Sequence, residues 1–143
     1  MGSVANPVGV KAKIVVKPSN TVRLEMNTES WVANTSYKKA KEAIIPYYGK
    51  VKCKWEYKAR SDQTIYTRIY KNDNPFGDEH STTSTDWVSV SEVIEVEPGD
   101  KIQLYAKTNN ELKKSYLRNF HICFDIQEHG LVTVDKGGYI YVD

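Results

Sequence analysis

Residues 49–59 alternate without interruption: Val51, Cys53, Trp55, Tyr57 and Ala59 fall on one side of an extended chain, and Lys50, Lys52, Lys54, Glu56 and Lys58 on the other. Successive side chains of a strand point to opposite faces, so this run is a strand with one dry face and one wet face. A clean two-residue period belongs to an antiparallel sheet covered on one side, because strands of a buried parallel sheet read as continuous apolar runs. A chain that contains it is built from β-layers closing on a core.

The rest of the chain carries the same signal. Residues 64–71, 92–96 and 101–107 are rich in β-branched and aromatic side chains, which fit a pleated, half-buried surface. Residues 116–126 place Phe120, Ile122, Phe124 and Ile126 on one face and His121, Cys123 and Asp125 on the other. Val51, Cys53, Trp55, Tyr57, Ile102, Leu104, Ile122, Phe124 and Ile126 are the expected core. Pro98 and Gly99 suit the two central positions of a type II turn, since glycine accepts the positive φ required at the second. Residues 72–79 form a loop dense in turn residues. Residues 11–16 and 21–26 read as two strands around a turn at Pro18, Ser19 and Asn20. Residues 31–36 are a loop or short strand. Residues 37–45 hold helix formers, but only Tyr37, Ala40 and Ile44 fall at helical spacing and Pro46 follows, so a strand is expected. Past Glu128, residues 131–134 and 139–142 flank a turn at 135–138 and read as a terminal hairpin. The expected fold is all-β: an antiparallel, jelly-roll-like β-sandwich with a C-terminal hairpin. It is one domain over residues 1–143, with N-terminal strands in 1–29, the sandwich core in 30–126 and the hairpin in 127–143.

The chemistry-bearing residues are sparse. Twenty Lys and Arg against 18 Asp and Glu leave a net charge of +2, which argues against nucleic acid as a partner. Lys38, Lys39 and Lys41 form one basic cluster and the wet face of residues 50–58 another; outward lysines also block edge-to-edge pairing. No signal sequence and no long apolar run points to export or to a membrane. Cys53 and Cys123 have no metal-ligand spacing and read as free thiols. His80, His121 and His129 give no nucleophile-base-orienter set. The oxygens of Asn72, Asp73, Asn74, Asp78 and Glu79 lack the spacing of a calcium loop. The expectation is therefore a protein without catalytic residues, metal or cofactor. Ten tyrosines and three tryptophans offer contact surface instead. Tyr66, Tyr70, Trp87 and Tyr105 are the candidates on the sandwich, and Tyr139 and Tyr141 those on the hairpin, for holding a ligand or a partner.

From Ser30 to Ile126 the order of short motifs resembles a β-sandwich module of virion proteins from tailed bacteriophages of Gram-positive bacteria. Tyr37, Lys38, Lys41 and Glu42 precede the alternating strand. Arg68 to Asn72 follow, then a Ser/Thr-rich stretch from Ser81 to Thr85, then Val96 to Tyr105 around the Pro-Gly-Asp turn, and finally Arg118 to Ile122. The module is similar to the shoulder domain of lactococcal phage receptor-binding proteins, and the chain resembles a small accessory tail protein of a Bacillus-infecting siphophage. The resemblance implies a non-enzymatic structural or interaction protein of the phage tail or baseplate, assembled in the host cytoplasm and carried in the virion. Its partners would be other tail proteins or its own copies, with a trimer favoured. The alternative is a carbohydrate-binding adhesion module for host cell-wall glycan.

Overall fold

The computed structural model describes residues 10–12, 14–127 and 131–133, and among them every regular element is a strand. One sheet has the order β3-β11-β2-β5-β9, formed by β3 (Ser30–Val32), β11 (Ser115–Gln127), β2 (Val15–Met26), β5 (Tyr48–Lys58) and β9 (Val88–Val96). The other runs β4-β10-β6-β7, from β4 (Lys38–Ile45), β10 (Asp100–Thr108), β6 (Ile65–Lys71) and β7 (Asn74–Pro75), with β8 (His80–Thr82) also on β6. The chain passes from one sheet to the other at β3–β4, β4–β5, β5–β6, β8–β9, β9–β10 and β10–β11, as a jelly-roll-like sandwich requires. Every pairing is antiparallel except a short parallel one between Val15, Val16 and Tyr48, Gly49.

The dry face of β5 lies where its alternation puts it. Val51, Cys53, Trp55, Tyr57 and Ala59 are buried against Ile102, Leu104 and Ala106 of β10 and Ile65 and Ile69 of β6. The Trp55 indole N–H donates to Thr67 Oγ1 at 3.0 Å, so the polar atom of the largest core side chain is satisfied inside. The Pro98-Gly99 turn forms as expected: Gly99 has φ 92°, and Asp100 N donates to the Glu97 carbonyl at 3.1 Å. Asn72 and Asp73 both take positive φ and join Lys71 to Asn74 in a tight hairpin.

Three expectations are corrected. Pro18, Ser19 and Asn20 do not separate two strands, because β2 runs through them as one element. Glu25 pairs with His121 on the edge of β11 opposite β5, whereas Val16 is bonded to both Ile126 and Gly49 and so lies between β11 and β5. The chain crosses β11 between those points: Cys123 pairs with Val22 and the next residue, Phe124, with Pro18. Residues 19–21 form the crossover, held by Thr21 N donating to Ser19 Oγ at 3.0 Å and Lys52 Nζ to Asn20 Oδ1 at 2.9 Å. The same residues that favour a turn make this bulge, and the N-terminal segment becomes part of the sandwich.

The crossover also explains the second correction. Cys123 is on the outward parity of β11 yet fully buried, since the bulge lies over it. The third is Ile126, which is 47% exposed instead of in the core. It lies in an open groove of about 360 Å³ with Leu24, Ile44, Pro46 and Phe124, where the end of β4 lines the space without filling it. Close approach fixes one more residue: Gly49 has φ 125°, and a Cβ there would stand 2.1 Å from the Val16 carbonyl oxygen. The short strand β12 (Leu131–Thr133) pairs with β1 (Val10–Ala12), and the second arm of the expected hairpin, with Tyr139 and Tyr141, lies outside the described residues.

Candidate interaction surface

The outer face of the β4-β10-β6 sheet brings together three of the expected aromatics. Tyr66 and Tyr70 share the outward parity of β6, and Tyr105 that of β10; register sets Tyr105 beside Arg68 and Lys107 beside Tyr66. Diagonal neighbours on adjacent strands are within reach of long aromatic side chains. Tyr70 and Tyr105 stack with centroids 3.7 Å apart and planes inclined by 10°. Tyr37, from the segment leading into β4, packs on Tyr70 at 5.8 Å and 57°. In the sequence Tyr37 stands out by its spacing and as part of a motif, not as a contact residue, because its place beside Tyr70 comes from the fold and leaves no local pattern.

Charged groups hold this row. The Tyr37 hydroxyl donates to Glu79 Oε2 at 2.5 Å, and Lys107 Nζ stands 3.8 Å from the same oxygen. The Lys107 ammonium is 4.7 Å from the Tyr37 ring centroid and 5.1 Å from that of Tyr66, within cation–π range. Arg68 Nε donates to the Gly77 carbonyl at 2.6 Å, tying the loop before β8 to the face. Burial, and then the bond to Glu79, push the Tyr37 hydroxyl well above the usual phenol range. Burial also raises Tyr70. Both therefore stay protonated and able to donate.

The geometry decides what kind of contact the row suits. Tyr70 is stacked on Tyr105 and tilted against Tyr37, so its ring is shared between two protein neighbours. A sugar ring stacks on an open aromatic face; a packed row of tyrosines instead gives the rigid, amphipathic contact area for which tyrosine is enriched at protein interfaces.

Trp87 belongs to the opposite side of the molecule. It precedes β9, with the Arg118 guanidinium 3.9 Å and the Lys58 ammonium 4.6 Å from its ring centroid. Arg118 Nε also donates to Glu56 Oε1 at 2.7 Å, so the cation over the indole is held in place. Trp87 is thus engaged within its own sheet and does not join the tyrosines.

The remaining candidate chemistry is dispersed. Gln103 Nε2 donates to Glu42 Oε1 at 2.8 Å and to Asp73 Oδ1 at 2.7 Å, which with Tyr37–Glu79 turns the oxygens of the 72–79 loop toward separate protein donors. His80 is bonded to Glu92 at 2.7 Å, and His121 Nε2 lies 2.6 Å from Asn27 Oδ1. Burial raises both the Cys53 and Cys123 thiols, and both cysteines are free. Among the described residues no three His, Cys, Asp or Glu converge as metal ligands. No protein-family model, curated protein or solved structure matches this chain.

Proposed function

We propose that this chain is a non-enzymatic structural and interaction protein of a tailed bacteriophage, associated with the tail or baseplate, and that it docks through the tyrosine face of the β4-β10-β6 sheet. The observation that carries the docking reading is the packed row Tyr37, Tyr70 and Tyr105 on the outer face of the sheet, in which Tyr70 packs against both neighbours and Glu79 holds the Tyr37 hydroxyl, giving a rigid aromatic ridge for a partner to cover. The phage setting rests on the order of motifs between Ser30 and Ile126. The partner is another tail protein or further copies of this chain, the trimer being the expected self-assembly.

Light scattering across a concentration series tests self-docking. The parent is expected to approach the mass of three chains, and a Tyr70→Ser, Tyr105→Ser variant to remain a monomer with an unchanged circular dichroism spectrum. A parent and a variant with the same mass at every concentration exclude the tyrosine face as a self-interface. Capture of a tail protein from a phage lysate by the parent and equally by the variant excludes it as a docking face altogether.

A further inference from the structure

At the corner where β3 hands the chain to β4, the two sheets leave a cleft of about 440 Å³. This is within the usual range for small-molecule sites, toward its lower end. Its floor is made by Ala33, Ala40 and Ala106, whose short side chains leave the space unfilled, and one wall is Trp31. Trp31 is 59% exposed, the reverse of Trp55 in the core, and the Lys114 ammonium stands 4.2 Å from its ring centroid. Lys38 and Lys39 line the rim. Lys39 is bonded to Glu42 at 2.9 Å, but neither Lys38 nor Lys114 has an ion-pair partner among the described residues. No carboxylate lines the cleft.

Both flanking strands are sheet edges, β3 paired only with β11 and β4 only with β10, so each also offers backbone donors and acceptors on its free side. The loop between them is fixed: Thr108 N donates to the Asn34 carbonyl at 2.7 Å and Ser36 N to Asn34 Oδ1 at 2.8 Å. The hollow is therefore a built feature of the fold.

From these features we infer that the Trp31 cleft binds an acidic saccharide, one or two sugar rings carrying a negative group. A pyranose has an apolar C–H face that matches the part of the Trp31 indole left exposed beside the Lys114 ammonium, and hydroxyls that match free strand edges. The unpaired ammoniums of Lys38 and Lys114 favour an anion over a neutral sugar. An extended peptide would use the strand edges but has no need of the indole wall or of two unpaired cations. The site is independent of docking through the tyrosines, none of which lines it, and the inference survives the failure of that reading.

The test is NMR titration of the three indole N–H resonances with a hyaluronan tetrasaccharide, which is acidic, and with chitotetraose, which is neutral. The acidic probe is expected to shift the Trp31 signal saturably while those of Trp55 and Trp87 stay in place. Trp31→Ala, a change at an exposed position, should abolish shifts of the Lys38 and Ala40 amides, and Trp31→Phe should retain them. Lys38→Gln should weaken binding by about two- to fivefold, as for loss of one exposed charge contact. The inference is overturned by no saturable shift with the acidic probe, by equal affinity for chitotetraose, or by amide shifts that persist in Trp31→Ala. It is likewise overturned if a hexapeptide of alternating Thr and Val moves those amides and the tetrasaccharide does not.

Discussion

Replacing Trp55 by alanine removes the central side chain of the sandwich. Trp55 is 1% exposed and packs edge-on against Phe120 at 6.3 Å and His80 at 5.6 Å between ring centroids. Deleting a buried side chain of this size costs about 3–5 kcal/mol, transfer and cavity contributions together. Against a typical domain stability of about 5–15 kcal/mol, that lowers the melting temperature by about 10–20 °C for a chain of this length. The indole also supplies the hydrogen bond to Thr67, itself fully buried. Trp55→Phe keeps most of the volume but leaves that hydroxyl without its donor, at about 1–3 kcal/mol. In a Thr67→Val background the same change should cost less, with a coupling of about 0.5–1.5 kcal/mol. Urea unfolding of the four proteins in this cycle measures it. Additive losses would refute the bond, and a Trp55→Ala protein that melts with the parent would refute the facing of β5 against β6 and β10.

Gly49→Ala should cost more than Gly99→Ala. Both residues have positive φ, but only at Gly49 does the added methyl meet backbone, 2.1 Å from the Val16 carbonyl oxygen. About 1–3 kcal/mol is expected at Gly49, with less at Gly99, and equal urea midpoints would contradict the interleaving of β2 between β11 and β5. Acid should destabilise the fold through Glu56. The bonds donated by Arg118 and then Asn119 hold its carboxyl below its ordinary value of 4.5. A carboxyl with a lowered folded pKa stabilises fully above that value, and the contribution fades as pH falls below it. Melting curves should drop across that window in the parent and less steeply in Glu56→Gln; parallel profiles would remove Glu56 as a source.

The alternation of residues 49–59 and the Pro-Gly turn at 98–99 were legible because both depend on local geometry: the pleat of a strand and the positive φ of one glycine. What failed depended on which element lies next in space. Pro18, Ser19 and Asn20 have the same chemistry in a turn and in a bulge, and only the pairing of β2 with β11 and β5 selects the bulge. Periodicity assigned Cys123 to the wet face and Ile126 to the dry one, but burial followed the crossover above the first and the open groove beside the second.

The candidate surface shows the same division. Tyr66, Tyr70 and Tyr105 were found by strand parity. Tyr37, brought to them by the turn into β4, and the exposure of Trp31 on its short edge strand were not visible, because each reflects distant packing.

Docking through the tyrosine face in the proposed phage setting is tested most directly by cross-linking mass spectrometry on purified virions of the phage proposed to encode the chain. Lys39 and Lys107 flank the tyrosines, whereas Lys50, Lys52 and Lys54 lie on the outer face of the other sheet and serve as an internal control. Docking through the tyrosines predicts links from Lys39 or Lys107 to a second virion chain or a second copy, and few from the β5 lysines. Links confined to Lys50, Lys52 and Lys54, or the chain's absence from the particle, would contradict it.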